Sequence, residues 1–378
     1  MSEFKSSNFS NEDNSGGPDL VGITTFTSTA YFVPPSGTTA QRPSGDGIAP
    51  GMLRFNTDIG RLEVWRGDHW ATILGESPNL DGGARGVFGG AAIAPTSPNY
   101  ASSIDYLTIS TLGNSISFGS LTETRGFTAS CSSSTRGIWA GGANPTLTNT
   151  IEYVTISSTG NAATFGSLSS VTYTGGGCSN STRGLIGGGY SPNVSTTTNV
   201  ISYITITSTG NAQDFGDLTR SNHYGTTGSC ASSTRGVWMG GGIPAGSNVI
   251  DYVTISTIGN AVDFGDALEA RSLLTGGSNS TRGVFGGGTY PTNTNTIQFI
   301  TISSTGNAQD FGDLSATIAY AGGATSSTRM VFAGGYTPTK QSAIYYVQIT
   351  TTGNAVSFGD LTSARYGLAA CSNGHGGL

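Results

Sequence analysis

The sequence predicts an all-β chain: a six-bladed β-propeller, preceded by a small N-terminal β module and a disordered N-terminal tail. Three observations carry this. Gly-Asn pairs recur at Gly113-Asn114, Gly160-Asn161, Gly210-Asn211, Gly259-Asn260, Gly306-Asn307 and Gly353-Asn354, at spacings of 47, 50, 49, 47 and 47 residues. Such a period lies in the range of roughly 40–50 residues typical of propeller blades. Ser, Thr, Gly and β-branched residues dominate, and no apolar stripe of helical period appears. Finally, the text before Arg85, "ESPNLDGG", contains no first strand, while one is left over after the last repeat.

Residues 1–20 have no apolar run, so they read as a disordered tail and not as a signal peptide. Residues 21–50 form an extended attachment segment. Within 51–75, Met52–Asn56 and Arg61–Trp65 alternate around a turn at Thr57–Gly60, and Trp70–Ile73 adds a third strand. Three short strands are marginal alone. The module is therefore expected to pair with another chain through Tyr31, Phe32, Phe55, Trp65 and Trp70. A homo-oligomer, a trimer included, would supply that partner.

Residues 82–378 hold the repeats. Each has four strands, exemplified by Arg271–Ser278, Arg282–Gly288, Val249–Ser256 and Ala261–Leu268. A Gly-Asn turn joins the third strand to the fourth. The third strand carries apolar residues on both faces (Ile250 and Tyr252 on one, Val253 and Ile255 on the other), so each sheet is expected to be covered on both sides. The leftover segment 364–374 is expected to complete the first sheet and remove an exposed edge.

Composition narrows the function. Only 10% of residues are charged and the net charge is −6, with no basic patch, so nucleic acid is not an expected partner. No apolar run reaches the ~20 residues of a membrane-spanning helix, so membrane insertion is not expected. Cys131, Cys178, Cys230 and Cys371 share one repeat position with Gly277 and Ala324, which marks a tight packing site for buried thiols. His69, His223 and His375 are scattered, and no Cys-x-x-Cys occurs. The pairs Asp214/Asp217, Asp263/Asp266 and Asp310/Asp313 recur in register, as blade-surface carboxylates would and a unique catalytic dyad would not. No catalytic residue, cofactor or metal is assigned. The arginines Arg85, Arg136, Arg183, Arg235, Arg282 and Arg329 are expected to bond carbonyls or carboxylates in their own blades.

With an Arg opening the first strand, tandem Gly ending the second and Tyr106, Tyr153, Tyr203, Tyr252 and Tyr346 in the third, the repeats resemble the kelch repeat. They depart from it at Phe299 and in the fourth strand, where Phe118, Phe165, Phe215, Phe264, Phe311 and Phe358 replace Trp. The stretch Val21–Leu74, with "YFVPPSGTTAQRP" ahead of "GMLRFNTDIGRLEVWRGDHWATI", resembles a module of tail-fibre and other virion proteins of tailed bacteriophages, notably those of cyanobacteria. That resemblance implies a non-enzymatic structural protein of the virion, assembled in the host cytoplasm and docked on other virion proteins through its N-terminal segment. A decorating or stabilising protein, a cellular kelch-like binding module and a sugar-active enzyme are the alternatives.

One rim of the ring, "SSTRG" and "STGNA", is nearly constant. The other, where the second-to-third and fourth-to-first loops lie, differs in every repeat through its second-to-third loops, which are rich in Tyr, Pro, Asn and Thr. A varied rim suits contact with something asymmetric, here a host-surface glycan or protein receptor. The candidate contact residues are Tyr100, Pro145, Tyr190, Pro192, Pro244, Tyr290, Pro291, Tyr336 and Lys340.

Overall fold

In the computed structural model, the described residues are 34–45, 48–72, 84–93, 99–144, 146–173, 175–191, 196–222, 228–242 and 246–378. Contacts divide the chain into Met1–Ser77 and Pro78–Leu378. The architecture is all-β, in seven four-stranded sheets, with a single 3-10 turn at Thr39–Gln41 among the described residues.

Six of these sheets lie in Pro78–Leu378 and together are propeller-like. Sheet two is a meander of Ala129–Ser132, Arg136–Ala140, Thr150–Thr155 and Ala163–Ser167. Sheets three to six repeat it, starting at Gly176–Ser179, Gly228–Ala231, Thr275–Ser278 and Gly322–Thr325. Sheet one draws on both ends of the unit. Ala369–Ser372 pairs antiparallel with Arg85–Ala92, followed by Tyr100–Thr108 and Ile116–Ser120. Arg271 does not open a first strand; it ends the strand Val262–Arg271, in register with Ser247. Leu273, at φ 62°, then breaks the extended run.

The third strands bury both faces, with Ile250, Asp251 and Val253 all inside. The apolar core is divided into six clusters, each shared by two neighbouring sheets. Val87, Ile104 and Phe118 of sheet one meet Trp139 and Val154 of sheet two. Phe88 and Leu107 meet Val331 and Ile344 of sheet six.

Three repeated contacts explain the constant text. The first-to-second turn is capped by a side chain accepting the Arg N–H, from Ser133, Asn180, Ser232, Asn279 or Ser326. Arg85 receives the same cap from Asn373, 288 residues away. The guanidinium then lies over the aromatic ring of its own third strand, 4.3–4.8 Å from the centroid. Its Nη1, however, donates to a carbonyl of the next sheet: Arg85 to Ile156, Arg136 to Ile206, Arg183 to Ile255, Arg235 to Ile302, Arg282 to Ile349 and Arg329 to Ile109. The expectation of bonds within one blade is corrected here. The side chain is long enough to cross the interface, and the carbonyls at the end of the next third strand point back at it. Likewise each Gly-Asn turn docks on the preceding sheet. Asn161 Oδ1 accepts from Ser120 N, and Asn114 Oδ1 from Asp360 N. This requires the Gly of each Phe-Gly pair, since a Cβ on Gly119 would lie 2.1 Å from Gly160 O.

The cysteine position is the third contact. Cys371, Cys131, Cys178 and Cys230 lie against Gly137, Gly184, Gly236 and Gly283 of the following sheet. At the fifth interface the sizes are exchanged: Gly277 faces Met330. At the sixth, Ala324 faces Gly86. One sulfur or methyl therefore fills each gap, from whichever side supplies it. All four thiols are free and buried. Burial raises each of their pKa values, that of Cys371 to about 12.

The N-terminal unit forms a sheet of Ser36–Gly37, Leu53–Asn56, Arg61–Trp65 and Trp70–Thr72. The two-residue strand, drawn from the extended segment, pairs parallel to Leu53–Asn56. Alternation places Arg54, Asn56, Glu63, Trp65 and Trp70 on one face and Leu53, Phe55, Leu62, Val64 and Ala71 on the other. The first face is the buried one. Glu63 is 0% exposed, hydrogen-bonded by Arg42 and Asn56, with Arg54 Nη1 at 3.6 Å. Leu53 and Leu62 on the apolar face are 47% and 38% exposed.

Candidate functional site

The varied rim is built from two loop sets that are stitched together. Bridges join Gly126 to Ala143, Tyr173 to Tyr190, Ser272 to Thr289, Ala319 to Tyr336 and Ala92 to Tyr366. In five of the six sheets the second-to-third loop is thus held against the segment that leads into the first strand. That segment makes a sharp turn four residues before the Cys/Gly/Ala position. There Phe127, Leu273 and Tyr320 take φ of 57°, 62° and 60°, and Gly367 takes 64°. Their backbones bond in series around the axis: Phe127 N to Gly367 O, Gly367 N to Tyr320 O, and Tyr320 N to Leu273 O.

At Phe127 and Tyr320 this turn carries an aromatic side chain, and five tyrosines from neighbouring segments gather around them. Phe127 lies at the centre, edge-on to Tyr100, Tyr173, Tyr320 and Tyr366 at centroid distances of 5.6–6.3 Å. Tyr190 joins through Tyr173 at 5.6 Å, and Tyr336 through Tyr366 at 5.3 Å. A Cβ on Gly367 would fall 2.5 Å from the Phe127 ring, so glycine there makes room for it. All seven aromatics are partly exposed. Burial raises the pKa of the Tyr100, Tyr320 and Tyr366 hydroxyls, which keeps them protonated as donors. Beneath the cluster lies a small cavity of about 80 Å³, whose wall begins at Thr128, Leu274, Ala321 and Leu368.

The opposite end of the axis is filled. His375 Nε2 lies 3.0 Å from Ser132 O, while Gly377 N donates to Nδ1. These contacts define the neutral tautomer with the proton on Nε2, and burial lowers the His375 pKa to about 4. Gly376 N donates to Ser278 O. A Cβ on Gly377 would approach Ser179 O to 1.8 Å, so only glycine passes here. Around this plug, serine hydroxyls bridge neighbouring first strands: Ser132 to Ser372 O, Ser179 to Ser132 O and Ser278 to Ala231 O. The wall's polar groups are thereby committed to holding the sheets together.

Of the residues singled out on the varied rim, Tyr100, Tyr190 and Tyr336 enter the aromatic cluster. Tyr290 stands apart, 41% exposed, followed by Pro291. Lys340 Nζ donates to Ile93 O, tying the loop of sheet six to that of sheet one. Pro145, Pro192 and Pro244 lie outside the described residues, as do Tyr31 and Phe32. Phe55 lies on the open face of the N-terminal sheet. Trp65 and Trp70 pack together at 5.6 Å on the other face, where Trp70 Nε1 donates to Pro43 O.

The cluster's remaining members, Phe127, Tyr173, Tyr320 and Tyr366, were legible as an aromatic four or five residues before the Cys/Gly/Ala position. They sit in the fourth-to-first loops, on the same rim as the varied second-to-third loops. Among the described residues no group of three His, Cys, Asp or Glu side chains is placed to hold a metal ion. No helix there is long and apolar enough to cross a membrane. The recurring aspartates are largely exposed, and the backbone N–H groups of Asp217, Asp266 and Asp313 are capped by Asn260, Asn307 and Asn354. No protein-family model and no curated protein matches the chain.

Proposed function

We propose that this chain is a non-enzymatic virion protein of a tailed bacteriophage. Its six sheets form the blades of a closed, kelch-like propeller that presents the varied rim to the host surface. Its N-terminal module docks on other virion proteins or on further copies of the chain. The observation that carries this reading is the aromatic mouth, seven partly exposed rings converging on the one rim whose loops differ from repeat to repeat. Large, stiff amphipathic side chains of this kind are favoured in recognition surfaces. The inverted N-terminal sheet supports the docking role, since it buries its charged face and leaves its apolar one open.

The test uses particles that carry the chain. Deleting residues 1–75 should remove the chain from particles. Changing Tyr336 and Tyr190 to Ala should leave incorporation intact and slow adsorption to host cells. Normal incorporation of the truncated chain sinks the docking assignment. Unchanged adsorption by the tyrosine variants sinks adhesion and favours a decorating role.

A further inference from the structure

Resting on the adhesion reading, we infer that the aromatic mouth binds the pyranose rings of an uncharged glycan. The first argument is strain. Phe127 and Tyr320 hold φ of 57° and 60°, a region that costs a non-glycine residue about 1–2 kcal/mol. Glycine occupies the same repeat position at Gly367, at φ 64°. Leu273 holds the same conformation at φ 62° but is buried in the core, so there the penalty is offset by packing; at Phe127 and Tyr320 it is borne by rings that stay partly exposed, as at sites of function.

The second argument is chemical. The rings stand edge-on to one another, with interplanar angles of 57–84°. This leaves flat aromatic surface against which the C–H faces of a sugar can lie, with tyrosine hydroxyls at the margin for its OH groups. No member of the cluster is charged. Lys340, the basic residue singled out on this rim, is turned to Ile93 O. A sulfated, phosphorylated or sialylated glycan needs a paired cation, and none stands in the cluster. Asn293 Nδ2 donates to the Tyr336 carbonyl, and the Thr317 and Thr337 hydroxyls pair with each other, so the margin beside Tyr336 is polar.

The full chain is titrated by calorimetry and ligand-observed NMR with neutral gluco-, manno- and galacto-oligosaccharides, and with sialyllactose and a heparin hexasaccharide as anionic counterparts. At least one neutral series should bind, with an affinity that changes little as salt is raised. Phe127→Gly removes the ring while relieving the backbone, which offsets part of the lost ring contacts, so it should remain folded and weaken binding about tenfold or more. Tyr336→Ser, at the edge of the cluster, should weaken it less. Binding of anionic sugars alone, no binding by any neutral series, or full affinity in folded Phe127→Gly each overturns the assignment. The two readings separate in the adsorption assay. Particles bearing Phe127→Gly that adsorb poorly while no neutral glycan binds would leave adhesion standing and remove the sugar, pointing to a protein receptor instead.

Discussion

The exchange of sizes at the cysteine position makes a quantitative prediction. In sheet two a Cβ on Gly137 would lie 2.7 Å from Cys371 Sγ, with Ile156 next at 3.5 Å. A Gly137→Met substitution must therefore displace the sulfur, and overpacking of this kind costs about 1–3 kcal/mol. Cys371→Gly removes a buried thiol and adds a flexible residue to a strand, about 1–2 kcal/mol in all. Together they recreate the arrangement at Gly277 and Met330, where the methionine end lies 3.4 Å from the glycine's Cβ position. Val154 and Val347 stand opposite Gly137 and Met330 in their sheets, while Ser132 stands where Thr325, whose Cγ2 lies 2.5 Å from the Gly277 Cβ position, packs at the fifth interface. The double variant should recover about 2 kcal/mol relative to the sum of the singles, within the range for residues in direct contact. Urea unfolding of all four proteins measures it. Additivity within about 0.5 kcal/mol would refute the claim that one gap is being filled from either side.

Four further outcomes are expected. Arg125→Ala leaves Glu152, 1% exposed, without the guanidinium now 2.9 Å away, and should cost about 3–5 kcal/mol by urea unfolding, whereas an apolar pair at both positions should cost far less. For His375, the unfolded chain takes a proton near 6.5 and the folded ring only near 4. The stability this contributes is full above the higher value and falls by up to ~3 kcal/mol as pH drops between the two. His375→Gln should flatten that part of the profile, and an unchanged slope counts against the plug. Deleting residues 364–378 removes Ala369–Ser372 and the Asn373 cap on Arg85, exposing an edge strand, so light scattering should detect aggregation; a soluble product with the parent's melting curve would contradict it. Changing Leu53 and Leu62 to Lys should abolish association through the N-terminal sheet in sedimentation experiments without altering the unfolding of Pro78–Leu378, and persistent oligomers would place the contact elsewhere.

What was legible in the sequence was whatever repeats locally. Strand alternation, turn chemistry and period all act over a few residues, so an all-β chain of four-stranded sheets could be read from the Gly-Asn pairs, from "VIDYVTIS" and from the absence of helical text. The packing role of Cys131, Cys178, Cys230 and Cys371 was legible too, because a position that also accepts Gly277 and Ala324 must be small. The partners were not. Gly137 meets a sulfur from Cys371, and Arg329 crosses to Ile109. Contacts of this kind join distant text through the angle between sheets, which no local pattern encodes. The same limit hid the aromatic mouth. Phe127, Tyr320 and Tyr366 are far apart in the chain and converge because a turn with φ near 60°, at Phe127 and Tyr320 themselves and at Gly367 beside Tyr366, recurs from sheet to sheet. In the N-terminal module, Phe55, grouped from sequence with Trp65 and Trp70, lies on the opposite face from them, and only the folded chain decided which face was covered. The segment ahead of the hairpin carries Arg42, whose guanidinium seeks Glu63, so the charged face was buried and the apolar one left open.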